Sequence, residues 1–171
     1  TWEACKLVGL EQFMMLMYDD PDGLHRLMEW LSDEHLALIT WAEDEGLLSD
    51  QNEGDYVGSG GLGYTDELPA EPRAAGEPVR LADLWGFAES QETTGISPAM
   101  FGEFVLPYQA PLLERFGLNC YGCCEPLHQR IDEVLDDIPR LRRISASPWV
   151  DQTILKDAIG DEYIFSRKPN P

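Results

Sequence analysis

A buried strand and the start of a helix meet in Leu118-Asn119-Cys120-Tyr121-Gly122-Cys123-Cys124-Glu125-Pro126-Leu127-His128. Three of the four cysteines of the chain lie in this stretch, beside a carboxylate and an imidazole. In α/β proteins the turn from a strand into a helix is where the reactive groups collect. The stretch therefore predicts an α/β fold with a thiol or metal site at this turn.

The side chains of this turn are of the types that bind zinc, which needs about four ligands, or about three in a catalytic site with one open position. Cys123, Cys124 and His128 are the predicted metal ligands, and Glu125 is a predicted ligand or acid–base group. The alternative is that these cysteines pack the strand as small apolar side chains. Cys120 and Cys123 would point to opposite faces of a strand, so their C-x-x-C spacing does not decide between the two interpretations.

The charge of the chain restricts its partners, because 32 acidic residues against 12 basic ones give a net charge of −20 over 171 residues. Nucleic acids and anionic membranes both require basic surfaces, so neither is expected as a partner. No apolar run reaches the roughly 20 residues of a membrane span, and no secretory signal is evident. Few, clustered cysteines suit a reducing compartment, so we expect a cytoplasmic protein. Thr1 in place of methionine allows for a longer natural protein.

The order of predicted elements sets the fold class. Residues 1–80 read as a helical segment, with a helix capped by Asp20 and ended by Gly46, followed by an acidic loop rich in glycine and proline. The glycines between residues 58 and 63 predict a tight connection or an active-site cover, since no helix start follows them for phosphate binding. Residues 81–171 then alternate strand and helix, with strands at 81–88, in the cysteine-rich stretch, at 141–146 and at 162–166, and a proline kink at Pro107.

This rhythm predicts parallel strands with right-handed helical crossovers in a single domain. Four such units are too few for an eight-stranded barrel of about 250 residues. We therefore expect part of a TIM (β/α)8 barrel, with a small open sheet as the alternative.

Predicted strand ends supply the remaining candidate site residues. We expect Glu89 and Ser90 to be catalytic, and the substrate to be bound by a set taken from three strand ends: Gln91, Trp149, Arg167 and Lys168. Carboxylates, thiols, hydroxyls and cations on one rim suit chemistry on a small molecule.

Three segments together resemble the uroporphyrinogen decarboxylase superfamily, which includes zinc-dependent methyltransferases of corrinoid metabolism. The first segment is Phe87-Ala88-Glu89-Ser90 with Ile96-Ser97-Pro98-Ala99-Met100-Phe101 and Glu103-Phe104-Val105-Leu106-Pro107-Tyr108. The second is Tyr121-Gly122-Cys123, and the third is Ile144-Ser145-Ala146-Ser147-Pro148-Trp149 with the closing Phe165-Ser166-Arg167-Lys168-Pro169-Asn170-Pro171. The likeness covers roughly residues 81 to 171.

The resemblance implies a TIM barrel of which this chain holds the middle and later strands, and a substrate-contacting role for Ser90. The arginine-bearing segment at the start of the family has no match here, and its last strand and following histidine would lie beyond Pro171. In the methyltransferase branch a His-x-Cys pair binds zinc, but the matching positions are Asn119 and Tyr121. A shift of one residue along a strand reverses the face, so zinc is expected to be relocated or absent.

Three functions follow from these observations. The leading one is methyl transfer assisted by a zinc-held thiolate, with a methyl donor or thiol as the substrate. The second is decarboxylation of a tetrapyrrole or similar acid, which requires no cofactor. The third is a non-catalytic module that associates with another chain, because an incomplete barrel exposes sheet edges, so a homodimer or a complementing chain is expected.

Overall fold

Three helices form the first part of the chain in the computed structural model, which describes residues 1–59 and 61–169. They are α1 (Trp2–Val8), α2 (Leu10–Asp19) and α3 (Pro21–Asp44). The predicted cap of α3 is confirmed, because the Asp20 carboxylate accepts a hydrogen bond from the Gly23 N–H at 2.9 Å. Apolar side chains of all three helices, among them Phe13 and Leu24, are buried together with Phe104.

A parallel four-stranded sheet lies at the centre of the second part. Its strands are adjacent in chain order: β3 (Trp85–Ala88), β4 (Leu118–Tyr121), β5 (Leu141–Ala146) and β6 (Ile164–Arg167). Helices connect them: α4 (Pro98–Phe104) and α5 (Leu106–Leu113), then α6 (Ile131–Asp137), then α7 (Gln152–Ile159). Parallel strands with helical crossovers are thus confirmed, within a mixed α/β fold.

The glycine-rich segment forms an antiparallel hairpin of β1 (Glu53–Gly58) and β2 (Gly61–Tyr64), which the sequence did not predict as strands. This hairpin lies directly against the sheet, because a Cβ atom on Gly58 would be 2.8 Å from Cys120 Sγ. Arg143 fixes the contact by donating from Nη2 to the Leu62 carbonyl at 2.7 Å. The glycines therefore allow two backbones to approach closely. Strands built on such glycines have no alternating apolar pattern, so the sequence did not reveal them.

The two faces of the sheet have different neighbours. Tyr121 and Ile144 point toward the helices and are fully buried in a core that includes Phe101, Val134 and Leu155. The opposite face presents residues of the alternate register, including Cys120 and Arg143, to the hairpin. Both faces of the sheet are therefore covered, one by the helices and the other by the hairpin. The polar strand ends lie at the edge between these two layers.

Two strand boundaries and one helix differ from the prediction. Residues 81–83 form a 3₁₀ turn, because the Asp83 carboxylate accepts hydrogen bonds from the backbone and side chain of Arg80, and β3 begins only at Trp85. The last strand is Ile164–Arg167 rather than 162–166. Instead of one kinked helix, α4 and α5 are separated at Val105, since Pro107 has no N–H to continue the ladder.

Candidate active site

The carboxyl ends of the parallel strands bring together several residues that the sequence singled out. Ser90 follows β3, Cys123 and Glu125 follow β4, and Lys168 follows β6. Gly122 makes the turn after β4 with a φ of 98°, a conformation that favours glycine, and its N–H donates to the Ala88 carbonyl at 2.9 Å. The turn thus directs the residues after it across the end of β3.

Glu125 is the buried centre of this edge, with 1% of its surface exposed. Its Oε1 atom accepts hydrogen bonds from the Ser90 N–H at 2.9 Å and from the Ser90 hydroxyl at 3.4 Å. Its Oε2 atom accepts from the Cys123 N–H at 2.8 Å, and Ser147 Oγ donates to its carbonyl at 3.1 Å. The two carboxylate oxygens therefore join two strand ends and the backbone carbonyl joins a third, which indicates a positioning role.

Cys123 lies at the end of a chain of hydrogen-bond donors. Lys168 Nζ donates to Ser59 Oγ, and at 2.7 Å to the Cys123 carbonyl. Ser59 Oγ in turn donates to Cys123 Sγ at 3.0 Å. Donors directed at a sulfur atom stabilise negative charge on it, so this arrangement suits a thiolate nucleophile.

Ser59 belongs to the hairpin and was not among the predicted site residues. The sequence placed it in a possible active-site cover. Its hydroxyl is the group of the hairpin that contacts Cys123 and Lys168. A serine between glycines carries no distinctive chemical signal, and only the fold brings it to Cys123.

Cys124 is exposed, and its sulfur lies 3.6 Å from Cys123 Sγ. Burial of its sulfur raises the pKa of the Cys124 thiol, and the hydrogen bond to Cys123 raises it further, while Lys168 acts in the opposite direction. Of the two adjacent thiols, Cys123 is the one that receives the Ser59 donor.

The predicted zinc ligands come together only in part. Two sulfurs 3.6 Å apart are compatible with one metal ion at Zn–S distances of about 2.3 Å. His128 instead accepts the Asp151 N–H on Nδ1 at 3.1 Å, at the start of α7. Across residues 1–59 and 61–169, no three His, Cys, Asp or Glu side chains form a group that could hold a metal. We derive no catalytic step through zinc.

The other two cysteines pack inside the protein. Cys120 is fully buried on the hairpin face of β4, and burial raises the pKa of its thiol to about 11. Cys5 is buried in the cluster of amino-terminal helices, where burial and the charge of Glu92 raise its pKa. For these two cysteines the packing interpretation holds.

Glu89 and Gln91 lie in a cleft of about 330 Å³ that also has Ser59 and Cys123 in its lining. The Glu89 carboxylate accepts the Gln91 N–H at 2.9 Å, and burial raises its pKa above the usual range. Gln109 holds the backbone of this segment by donating to the Glu89 carbonyl at 2.8 Å, and it accepts the Tyr121 hydroxyl at 2.6 Å. The cleft thus places a carboxyl group and a thiol in one small volume.

Trp149 and Arg167 take different positions from the rest. Trp149 is 69% exposed, and only its backbone N–H joins the network, donating to Ser147 Oγ at 3.3 Å. Arg167 is paired in register with Ala146, on the face toward the helices, whereas Lys168 reaches Ser59 on the hairpin side. The structure therefore brings Lys168 to the thiol and places these two predicted substrate contacts away from it.

Arg130 is a buried charge that the sequence analysis missed. Its guanidinium donates to the Thr93 carbonyl at 2.9 Å and to the Thr93 hydroxyl at 3.3 Å, and lies 4.7 Å from the centre of the Phe101 ring. Burial lowers its pKa, which the negative charge of Glu125 partly offsets. Arg130 thereby anchors the loop after Ser90 to the start of α6. Nothing in Leu127-His128-Gln129-Arg130-Ile131 marks this arginine as buried.

Comparison with known proteins gives no information on the function. No protein-family model, no curated protein and no solved structure matches this chain. Within residues 1–59 and 61–169, no helix combines the length and the apolar character that crossing a membrane requires.

Proposed function

We propose that this chain is an enzyme that transfers a methyl group through the Cys123 thiolate. The observation that carries the proposal is the chain of donors from Lys168 through Ser59 to Cys123 Sγ, beside a cleft that a small molecule can enter. The sequence resembles a superfamily with two reactions, decarboxylation and methyl transfer. Of these two, methyl transfer is the one in which a thiolate takes part.

The finer fold that we propose is part of a (β/α)8 barrel. Four parallel strands that are neighbours in chain order support it, because consecutive barrel strands have this order. Reactive groups at the carboxyl ends of these strands agree with the position of active sites in such barrels.

The reaction would proceed as a displacement at carbon. The Cys123 thiol first gives its proton to solvent, and the thiolate then attacks the methyl carbon of the donor. The S–C bond forms with a sulfur electron pair as the bond between the methyl carbon and the leaving atom breaks, and that bond's electrons stay on the leaving atom. Lys168 and Ser59 hold the sulfur for attack, Glu125 and Ser90 fix the turn, and Glu89 contacts the substrate.

Zinc stays a prediction for this site. Cys123 and Cys124 are the residues that would hold it, and a bound zinc ion would keep their sulfurs deprotonated at neutral pH. Elemental analysis of anaerobically purified protein, with C123S and C124S as controls, decides whether about one ion per chain is present.

The proposal is tested by incubating the protein with methylcobalamin and mapping methylated peptides by mass spectrometry. We expect a methyl group on the peptide that contains Cys123, and none on it in C123S. C5S is the matched control, because Cys5 is buried among the amino-terminal helices and its removal leaves Cys123 in place. Methylation that persists in C123S, or its absence in the native chain, would overturn the proposal.

Decarboxylation of a tetrapyrrole or similar acid is the second candidate. The Lys168 ammonium group at the same edge supports it, since a cation there can meet a substrate carboxylate. This reaction does not use the thiol, so decarboxylase activity that survives in C123S would favour it over methyl transfer.

Association with a second chain is the third candidate. Large apolar side chains that remain exposed on α3, namely Trp30, Leu38 and Trp41, support this proposal. Sedimentation that shows a stable monomer would count against it.

A further inference from the structure

Three aromatic side chains from separate parts of the chain surround the cleft next to Cys123. Trp2 comes from α1, Tyr56 from β1 and Phe87 from β3, and they are 57%, 66% and 43% exposed. The face of an aromatic ring carries partial negative charge, to which a cation is attracted. The hairpin and the first helix thus supply two walls of the cleft and the sheet supplies the third.

The polar part of the same cleft is acidic. Glu89 and Glu92 both line it, and the Glu92 carboxylate accepts the Thr1 hydroxyl at 2.7 Å. Among the described residues, the lining contains no lysine or arginine; Lys6 Nζ lies 5.9 Å from the centre of the Trp2 ring, and Lys168 contacts Ser59. The net charge of −20 adds a long-range field that concentrates cations near the protein.

We propose that this cleft binds a small organic cation of the alkylammonium class, and that this cation is the methyl donor. Aromatic rings combined with carboxylates are the recognition chemistry of quaternary ammonium groups, which have no N–H to donate and are held by ring faces and charge. The volume of about 330 Å³ is at the lower end for small-molecule sites, about 300–1,000 Å³, and suits such a ligand. The assignment of the cation as the methyl donor rests on the proposed methyl transfer. The binding of the cation to the cleft does not depend on that proposal.

The chemistry of the neighbouring thiolate agrees with a cationic donor. When the Cys123 thiolate attacks a methyl group of a quaternary ammonium ion, the S–C bond forms and the C–N bond breaks. A neutral tertiary amine leaves with the electron pair, and a neutral thioether remains. One negative and one positive charge are thus converted into two neutral products, so no proton has to be supplied in this step. A cleft with aromatic walls, which hydrates charges poorly, favours such a charge-cancelling reaction.

The experiment is calorimetric titration of the full chain with choline chloride and, separately, with 3,3-dimethylbutan-1-ol, a neutral compound of the same shape. We expect choline to bind at least tenfold more tightly than the alcohol. Equal affinities, or no choline binding, would overturn the inference.

Variants of the cleft identify the place of binding. W2A and E92Q should each weaken choline binding about two- to fivefold, as expected for partly exposed cation–π and ion-pair contacts. The matched controls are W30A and E11Q, an exposed tryptophan on α3 and an exposed glutamate on α2, and both should bind choline as the native chain does. Circular dichroism verifies the fold of each variant. If W2A and E92Q bind choline as tightly as the controls, the assignment of this cleft is wrong.

The same titration separates the inference from the proposed function. C123S should still bind choline, because the rings and carboxylates remain in place. If choline binds but methylcobalamin does not methylate Cys123, the proposed function fails and the cation site stands. If methylcobalamin methylates Cys123 and choline does not bind, the inference fails and the proposed function stands.

Discussion

The Oε2 atom of Glu125 accepts a hydrogen bond from the backbone N–H of Cys123 at 2.8 Å, so a buried carboxylate holds the turn that presents the thiol. The same side chain accepts two hydrogen bonds from Ser90 on the neighbouring strand end. Glu125 therefore couples the position of the nucleophile to the end of β3.

The first prediction concerns E125Q, which places an NH₂ group where one carboxylate oxygen now accepts a backbone N–H. Two donors then face each other in a buried site, so the free energy of unfolding should fall by about 2 kcal/mol. Urea denaturation followed by circular dichroism measures the change. E114Q, at an exposed position of the α5–β4 loop, should change stability by less than about 0.5 kcal/mol. An E125Q chain as stable as E114Q would show that these hydrogen bonds do not hold the turn.

Removal of the donor to the thiol tests the Ser59–Cys123 contact. In S59A the Cys123 sulfur loses the hydrogen bond that stabilises its negative charge, and its alkylation by iodoacetamide should slow about fivefold, the equivalent of roughly 1 kcal/mol. Rates are measured for the Cys123 peptide by mass spectrometry. S49A, in the exposed loop after α3, is the matched control and should react at the native rate. An unchanged rate in S59A would remove the hydroxyl from the site.

Alkylation by iodoacetamide distinguishes the buried thiol of Cys120 from the thiols of Cys123 and Cys124. Burial raises the pKa of Cys120 to about 11, which means that less thiolate is present at any pH below that value. At pH 8 its thiolate fraction is on the order of one in a thousand, so Cys120 should stay unmodified in the folded chain while Cys123 and Cys124 react. Denaturation should make all four cysteines reactive. Fast modification of Cys120 in the native chain would mean that the hairpin opens.

Arg130 provides a prediction about stability. In R130M the carbonyl of Thr93 loses its donor and the ring of Phe101 loses the stacked guanidinium, which should lower the free energy of unfolding by about 2–4 kcal/mol. Thermal unfolding followed by circular dichroism is the measurement. R26M alters an exposed arginine on α3 and serves as the control. R130K should restore only part of the loss, since an ammonium group lacks the planar fork of guanidinium.

The close approach of the hairpin to the sheet predicts the behaviour of G58A. The added Cβ atom would lie 2.8 Å from Cys120 Sγ, so the hairpin must shift, and the free energy of unfolding should fall by about 1–3 kcal/mol. Truncation of the sulfur in G58A/C120A should recover part of this loss. G95A is the control, because no atom lies within 4 Å of the Cβ position at Gly95. If G58A and G95A unfold alike, the hairpin does not lie on the sheet as described.

Local signals in the sequence were sufficient for the helices and for most of the sheet. Asp20 followed by Pro21 marks the start of α3 because capping depends only on adjacent residues. β5 was predicted at its observed limits, residues 141–146. The start of β3 was misplaced, since the hydrogen bonds between Arg80 and Asp83 compete with the strand.

The site was predicted less completely because long-range contacts assemble it. Cys123, Glu125 and Lys168 were expected from their places at strand ends, and the structure brings them together. Ser59 was not expected, since its role depends on a hairpin docked across the sheet. The metal role of His128 was predicted from its proximity in sequence to the cysteines. In the fold, its Nδ1 atom accepts the N–H of Asp151, directly before α7.

The contact between Lys168 and Ser59 joins residues 109 positions apart in the chain, and it has a consequence for synthesis. A ribosome must release the chain as far as Lys168 before the ammonium group can reach the serine. Contacts of such long range form late in folding because their loop entropy is lost before they contribute. During translation the two adjacent thiols are therefore made well before Lys168 can reach Ser59, and we expect the nascent protein to pass through an interval in which its cysteines are present but not yet organised for chemistry.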